Sequence, residues 1–306
     1  MPKKEKKKVS KASLIIIFIL AAALAICIRH IVTSNDRVTK FENYLGEYYY
    51  SQEHLELAMQ DTLGDIYGDN AEANFDNYVY KLILDDINEH EPEEIAKYNT
   101  IFGKERTKEV TEQLSEYRPA AVTVEDGICT VKINDFVNGK TWKDLIKYKD
   151  TLEANRKFII DLRGNMGGHT DELVEVLGLF HEDGTVVYTD IAEEITEKKC
   201  IGDRIIDFDR LVFLCNEKTA SSAEVMIFNM KSDFPDKVSV VGKQTYGKYY
   251  SYVFNDFSDG YSFAMVSSLM GNSKGETFDG NGIIPDIEAE GDECITKAME
   301  LLKGEQ

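Results

Sequence analysis

The apolar positions of this chain change period near residue 118. From residue 36 to about residue 116 the sequence is polar and acidic, and residues such as Leu55, Leu57, Met59, Leu63 and Ile66 return mostly at intervals of three and four. That spacing lines one face of a helix, so a helical amino-terminal region over 36–116 is expected. After Arg118-Pro119, short apolar runs alternate with helical patterns. Strands are predicted at 128–133, 158–162, 186–191, 211–215, 238–241, 250–257 and 261–268, with Ser258-Asp-Gly260 turning the last two into a hairpin. Helices are predicted at 142–154, 170–180 and 221–231. The result is an α/β domain over 117–306, long enough to bury a core of its own.

The amino terminus follows another rule. Lys3, Lys4, Lys6, Lys7, Lys8 and Lys11 precede an uncharged run from Ala12 to Ile28. As a helix that run is about 25 Å long, and Ile31 and Val32 extend it to bilayer length. Residues 12–32 are therefore expected to form a single-pass signal anchor, with the basic tail 1–11 in the cytoplasm and the remainder extracytoplasmic at the cell membrane. The rival is a cleaved signal peptide ending near Ala21-Ala-Ala-Leu-Ala25, although the apolar run continues past that point.

Charge sharpens the division. Residues 1–35 carry a net +6 and the whole chain −20, leaving −26 for the rest. A body this acidic argues against nucleic acid as a partner and against adhesion to an anionic membrane surface. The five cysteines, at 27, 129, 200, 215 and 294, show no CxxC and no His/Cys pair at metal-ligand spacing, so no metal or other cofactor is indicated. Cys129 and Cys215 fall in apolar runs and read as buried small hydrophobes.

Chemistry is concentrated in short segments after the predicted buried strands. Asp161-Leu-Arg-Gly-Asn-Met-Gly-Gly168 is a strand-to-helix turn whose glycines allow close backbone approach, either as a tight turn or as an oxyanion donor; it lacks the lysine and spacing of a phosphate loop. Ser221 begins a helix with Glu224 three residues on, which is a capping box and also a position for a nucleophile. Lys248 alone reads as a surface lysine, or as a base if burial lowers its pKa. His169, beside Asp171, is a weaker candidate base.

Taken together and in order, the segments resemble the carboxy-terminal processing, or tail-specific, proteases. The glycine turn resembles that family's DLRGNPGG, and Asn216-Glu-Lys-Thr-Ala-Ser-Ser-Ala-Glu224 its NEGTASASE. Val241-Gly-Lys-Gln-Thr-Tyr-Gly-Lys248 resembles VGExTFGKG, and Gly280-Asn-Gly-Ile-Ile-Pro-Asp286 resembles GxGIxPD. The resemblance runs from about Cys129 to the end. It implies a crotonase-like mixed sheet with helices as the protease core, Ser221 as nucleophile, Lys248 as general base, and the N–H groups of Gly168 and Ser222 as the oxyanion hole. It also implies protein or peptide substrates, cut near their carboxyl termini, and no cofactor. Oligomeric state is not legible.

The chain departs from the family at identifiable places. Met166 stands for the proline of the glycine turn, Tyr249 for the glycine after the lysine, and Tyr252 where many members have a glutamine that orients the amine. No PDZ-like pattern precedes Cys129, so the helical region takes the place of that module. These departures keep open a second reading, a catalytically weak relative that binds peptides or proteins in the same cleft.

Overall fold

A computed structural model describes residues 84–102, 107–108, 117–202, 204–256, 262–278 and 280–304. The expected tail and anchor, and most of the 36–116 region, lie outside these residues. Among the described residues no helix is long and apolar enough to cross a membrane. The chain divides into two compact units, 1–96 and 97–306. In the first, residues 84–89 and Glu93–Ala96 are helical.

The second unit is a mixed α/β body, as expected, built on two sheets. Its strands are β1 (Thr100–Phe102), β2 (Ala121–Glu125), β3 (Ile128–Lys132), β4 (Lys157–Asp161), β5 (Val186–Ile191), β6 (Ile195–Lys199), β7 (Arg210–Cys215), β8 (Val238–Gly242), β9 (Tyr250–Asp256), β10 (Ser262–Gly271) and β11 (Ile287–Glu288). Its helices are α1 (Thr141–Ile146), α2 (Lys149–Glu153), α3 (Thr170–Gly178), α4 (Ser222–Asp233) and α5 (Glu293–Lys303). The larger sheet runs β11-β8-β7-β4-β3-β2, all neighbours parallel except the antiparallel β2–β3 edge. The smaller sheet is antiparallel, with β10 pairing β1 and β5 on one side and β9 on the other.

The apolar runs at β4, β7 and β8 are continuous because both faces of the parallel sheet are covered. Phe158, Ile160, Leu211, Phe213, Val238 and Val240 join one core with α3 and α4. Ile159, Val212, Leu214 and Val241 point the other way, onto Cys294, Ala298 and Leu302 of α5. Period two thus sends alternate residues of each strand to two separate cores. Cys129, Cys200, Cys215 and Cys294 are all buried free thiols.

Several expected elements are corrected. The helix predicted over 142–154 is two helices, α1 and α2, separated at Lys147 and Tyr148, where Tyr148 leaves helical geometry at φ −104° and ψ 18°. Strands β2 and β6 had no strong apolar signature because they are exposed edges that expose most of their side chains. β1 falls inside the segment read as helical and pairs with β10. The described part of the predicted hairpin, β9 with β10, pairs antiparallel; its turn is outside the described residues.

One buried acid joins α3 to the start of α1. Glu172 of α3 is fully buried, and its carboxylate accepts N–H bonds from Gly139 and Trp142, both at 2.5 Å. It therefore caps the start of α1 with negative charge, where the helix dipole favours it. Glu172→Ala is expected to leave two donors unpaired and cost about 1–3 kcal/mol, read as a lower urea midpoint at unchanged slope.

Candidate active site

Because β4, β7 and β8 are parallel neighbours, their carboxyl ends meet at one edge of the sheet. That edge is where open α/β sheets place ligands. The loops leaving it are the three sequence segments singled out above: the glycine turn after β4, the Ser221 segment after β7 and the Lys248 loop after β8.

Ser221 stands immediately before α4 with φ 58° and ψ −126°. Among the described residues it shares positive φ outside glycine with Asp126 alone. A serine held there is strained, and the surroundings must enforce it. Its N–H donates to Glu224 Oε2 at 2.8 Å, so Glu224 reaches back as the capping-box pattern predicts. Its carbonyl accepts the N–H groups of Glu224 and Val225, at 2.8 and 3.0 Å. The trans peptide then directs the Ser222 N–H out of the helix end, where it has no partner among the described residues. Ser221 Oγ lies 4.0 Å from Met270 Sδ.

The glycine turn presses on this elbow. Thr219 Oγ1 donates to the Leu162 carbonyl, Ala220 N–H to the Asn165 carbonyl, and Gly164 N–H to Asn216 Oδ1, lacing the two loops together at 2.9–3.0 Å. A methyl group on Gly167 would lie 2.7 Å from Ser221 Cβ and 2.8 Å from the Ala220 carbonyl oxygen. One on Gly168 would collide with the Phe136 carbonyl. The Gly167 carbonyl accepts Phe136 N–H, so the Gly168 N–H points away from Phe136 and is also without a partner among the described residues. Ser222 Oγ donates to the Gly168 carbonyl at 2.8 Å, fixing the orientation of that segment. The two expected oxyanion donors are thus the free N–H groups of one laced corner. Met166, exposed within the turn, spares this arrangement.

Lys248 is joined to the corner through its backbone. Its N–H donates to Glu224 Oε2 at 2.9 Å, the oxygen that also takes Ser221 N–H. Glu224 Oε1 accepts Gly247 N–H at 2.6 Å and Thr245 Oγ1 at 2.5 Å. Burial raises the Glu224 carboxyl above its ordinary range, and these four donors pull it back. The Lys248 amine is pushed down to about 8 by burial, against the charge of Glu224, which favours the ammonium. Lys248 Nζ makes no hydrogen bond among the described residues, Ser221 Oγ included; it rests over the Tyr252 ring, 3.9 Å from the centroid.

The fourth segment closes the loop from outside. Thr245 N–H donates to the Ile283 carbonyl and Ile283 N–H to Thr245 Oγ1, at 3.1 and 2.7 Å. All four motifs are therefore in one network. His169 is exposed at the start of α3, and Asp171 pairs instead with Lys198, at 2.7 Å. The full reach of Glu224 and the part of Thr245 were not anticipated. The available signal was a carboxylate inside an otherwise apolar helix.

Glu224→Gln is expected to place an amide NH2 against N–H and O–H donors and to cost about 2–3 kcal/mol. Gly167→Ala, strained by φ 97° and by its contact with Ser221, should cost at least about 1–3 kcal/mol. Urea titration of both variants measures these losses.

Comparison with known proteins gives this edge a family. Residues 127–289, more than half of the chain, match Peptidase family S41. A probable CtpA-like serine protease of Staphylococcus epidermidis is 30% identical over 165 residues, covering 53% of this chain and 33% of that one. The carboxy-terminal processing protease CtpA of Bacillus subtilis is 28% identical over 172 residues, covering 54% and 36%. The match thus spans about a third of the length of these relatives. In fold, a lipoprotein from Streptococcus agalactiae superposes with a TM-score of 0.61 at 17% identity, over 89% of this chain and 96% of that one. With its family-wide match laid over β3 to β11 and all three loops of the site, this chain belongs to peptidase family S41, the family of the carboxy-terminal processing serine proteases.

Proposed function

We propose that this chain is a membrane-anchored, extracytoplasmic serine endopeptidase that hydrolyses protein substrates near their carboxyl termini through a Ser221/Lys248 dyad. The supporting observation is the single oxygen, Glu224 Oε2, that receives the N–H groups of both Ser221 and Lys248 and keeps their backbones within two hydrogen-bond lengths of each other. The anchor is residues 12–32, supported by the basic flank and apolar run.

In this reading the neutral Lys248 amine takes the Ser221 proton as Oγ attacks the substrate carbonyl. The oxyanion forms against the N–H groups of Gly168 and Ser222. The lysine passes the proton to the leaving amine; neutral again, Lys248 deprotonates a water that attacks the acyl-enzyme, and the proton returns to Ser221 Oγ as the ester bond breaks. Met166, Tyr246 and Ile284 are exposed apolar side chains on the glycine turn, the lysine loop and the 280–286 segment, and they supply a surface for an extended peptide.

One observation favours a second reading, a non-catalytic binder of peptides or proteins: Lys248 Nζ rests on Tyr252 rather than on Ser221 Oγ. Active-site amines commonly engage only when substrate arrives, which keeps proteolysis in front.

The deciding experiment is cleavage of an unfolded protein by the fragment from Asp36, beside Ser221→Ala and Lys248→Ala. Each substitution is expected to lower kcat/KM about a thousandfold or more. Equal turnover by all three excludes the dyad, and binding without turnover by the unsubstituted fragment favours the second reading. Since the base works unprotonated, kcat/KM should rise as pH passes about 8.

A further inference from the structure

The half-buried Lys248 amine is held in an unusual way for a cation. Among the described residues it has no hydrogen-bond acceptor, and the nearby carboxylate of Glu224 is already filled by four donors. What it does have is two aromatic faces. Nζ lies 3.9 Å from the centroid of the Tyr252 ring and 5.6 Å from that of Tyr98. Both distances fall within the reach of cation–π attraction, which grows when the cation is desolvated.

Tyr252 is 39% exposed, whereas Tyr98 and Tyr250 are fixed by their neighbours. Tyr98 meets Tyr250 edge-on at 4.7 Å, and its hydroxyl donates to the Tyr246 hydroxyl at 3.4 Å. Tyr250 is buried and meets the Tyr249 ring at 4.7 Å, tilted by 59°. Tyr252 follows Tyr250 by two positions on β9, so the strand presents both on one face. Opposite Tyr252 the register of β10 shifts between Val266 and Ser268, a bulge that re-aims local side chains.

We propose that Tyr252 is the positioning residue for the general base: its ring face holds the Lys248 amine until substrate arrives, and Tyr98 closes the second side. The proposal rests on the Ser221/Lys248 reading. The titratable groups around the amine are Glu224 on α4, Tyr98 ahead of β1, Tyr246 on the lysine loop, and Tyr250 and Tyr252 on β9. Of these, the aromatic faces and the Glu224 carboxylate favour the ammonium, and burial opposes it. Loss of the Tyr252 ring removes attraction for the charged form alone, so the amine should give up its proton at lower pH. The hydroxyl of Tyr252 has no part in this contact.

The test compares the unsubstituted enzyme with Tyr252→Phe, Tyr252→Leu and Lys248→Ala. One readout is the pH profile of kcat and KM. The other is NMR titration of the Lys248 Cε resonance in isotopically labelled protein carrying Ser221→Ala. Tyr252→Phe should keep kcat within about threefold and leave both titrations in place. Tyr252→Leu should lower kcat about tenfold or more with KM little changed, and should move the acidic limb and the Cε titration down by about one pH unit. If Tyr252→Phe falls as far as Tyr252→Leu, the hydroxyl carries the function and the proposal is overturned. If Tyr252→Leu matches the unsubstituted enzyme in rate and titration, the ring is inert and the proposal alone falls. Full activity in Lys248→Ala overturns the underlying dyad instead, whatever Tyr252 does.

Discussion

The arrangement depends on one buried carboxylate. Glu224 sits in the first turn of α4 with no exposure to solvent, and without its four donors it would be among the most unfavourable groups in the domain. The donors come from two loops that are remote in sequence and leave adjacent parallel strands. Desolvation therefore works as a constraint: the carboxylate is tolerable only when the helix start and the lysine loop are both in place. Thr245 extends the constraint outward, since its hydroxyl donates to Glu224 and accepts from Ile283. The positive φ of Ser221 is held by the same bonds, with the glycine turn pressed against it from the other side.

The parallel sheet explains why these loops meet. β4, β7 and β8 are adjacent and point the same way, so each delivers its following segment to the same edge. Two cores, one on each face, hold the strands rigid beneath the loops. Glycine is needed at 167 and 168 because the backbone there passes so close to Ser221 and Phe136 that a side-chain carbon would collide. Backbone N–H groups are left over at the corner for the same reason: the carbonyls flanking them are engaged in the opposite direction.

Much of this was legible in the sequence, and the exceptions have physical causes. Strands with both faces buried, such as 158–162 and 211–215, announced themselves as apolar runs. The exposed edges Ala121–Glu125 and Ile195–Lys199 did not, because pairing there relies on backbone bonds and leaves most side chains in solvent. The break between α1 and α2 escaped because helical periodicity persists across Lys147 and Tyr148. At the site, the four motifs in register singled out the segments that the structure brings to one corner. The second partner of Glu224 was not, because a capping box states only its local half. Nor was the part of Tyr98, which reaches the Lys248 amine from about 150 positions upstream.

The bonds that place the lysine loop end on the main chain of Gly247 and Lys248 and on one threonine hydroxyl. Main-chain donors are blind to the identity of the side chain they carry. The address of Lys248 is therefore separate from the chemistry of its surroundings. The side chains of Tyr246, Tyr249 and Tyr252 set the amine's environment and access, while the attachment point is fixed by main-chain bonds. A scaffold built this way keeps the Ser221 and Lys248 backbones together whatever side chains surround them.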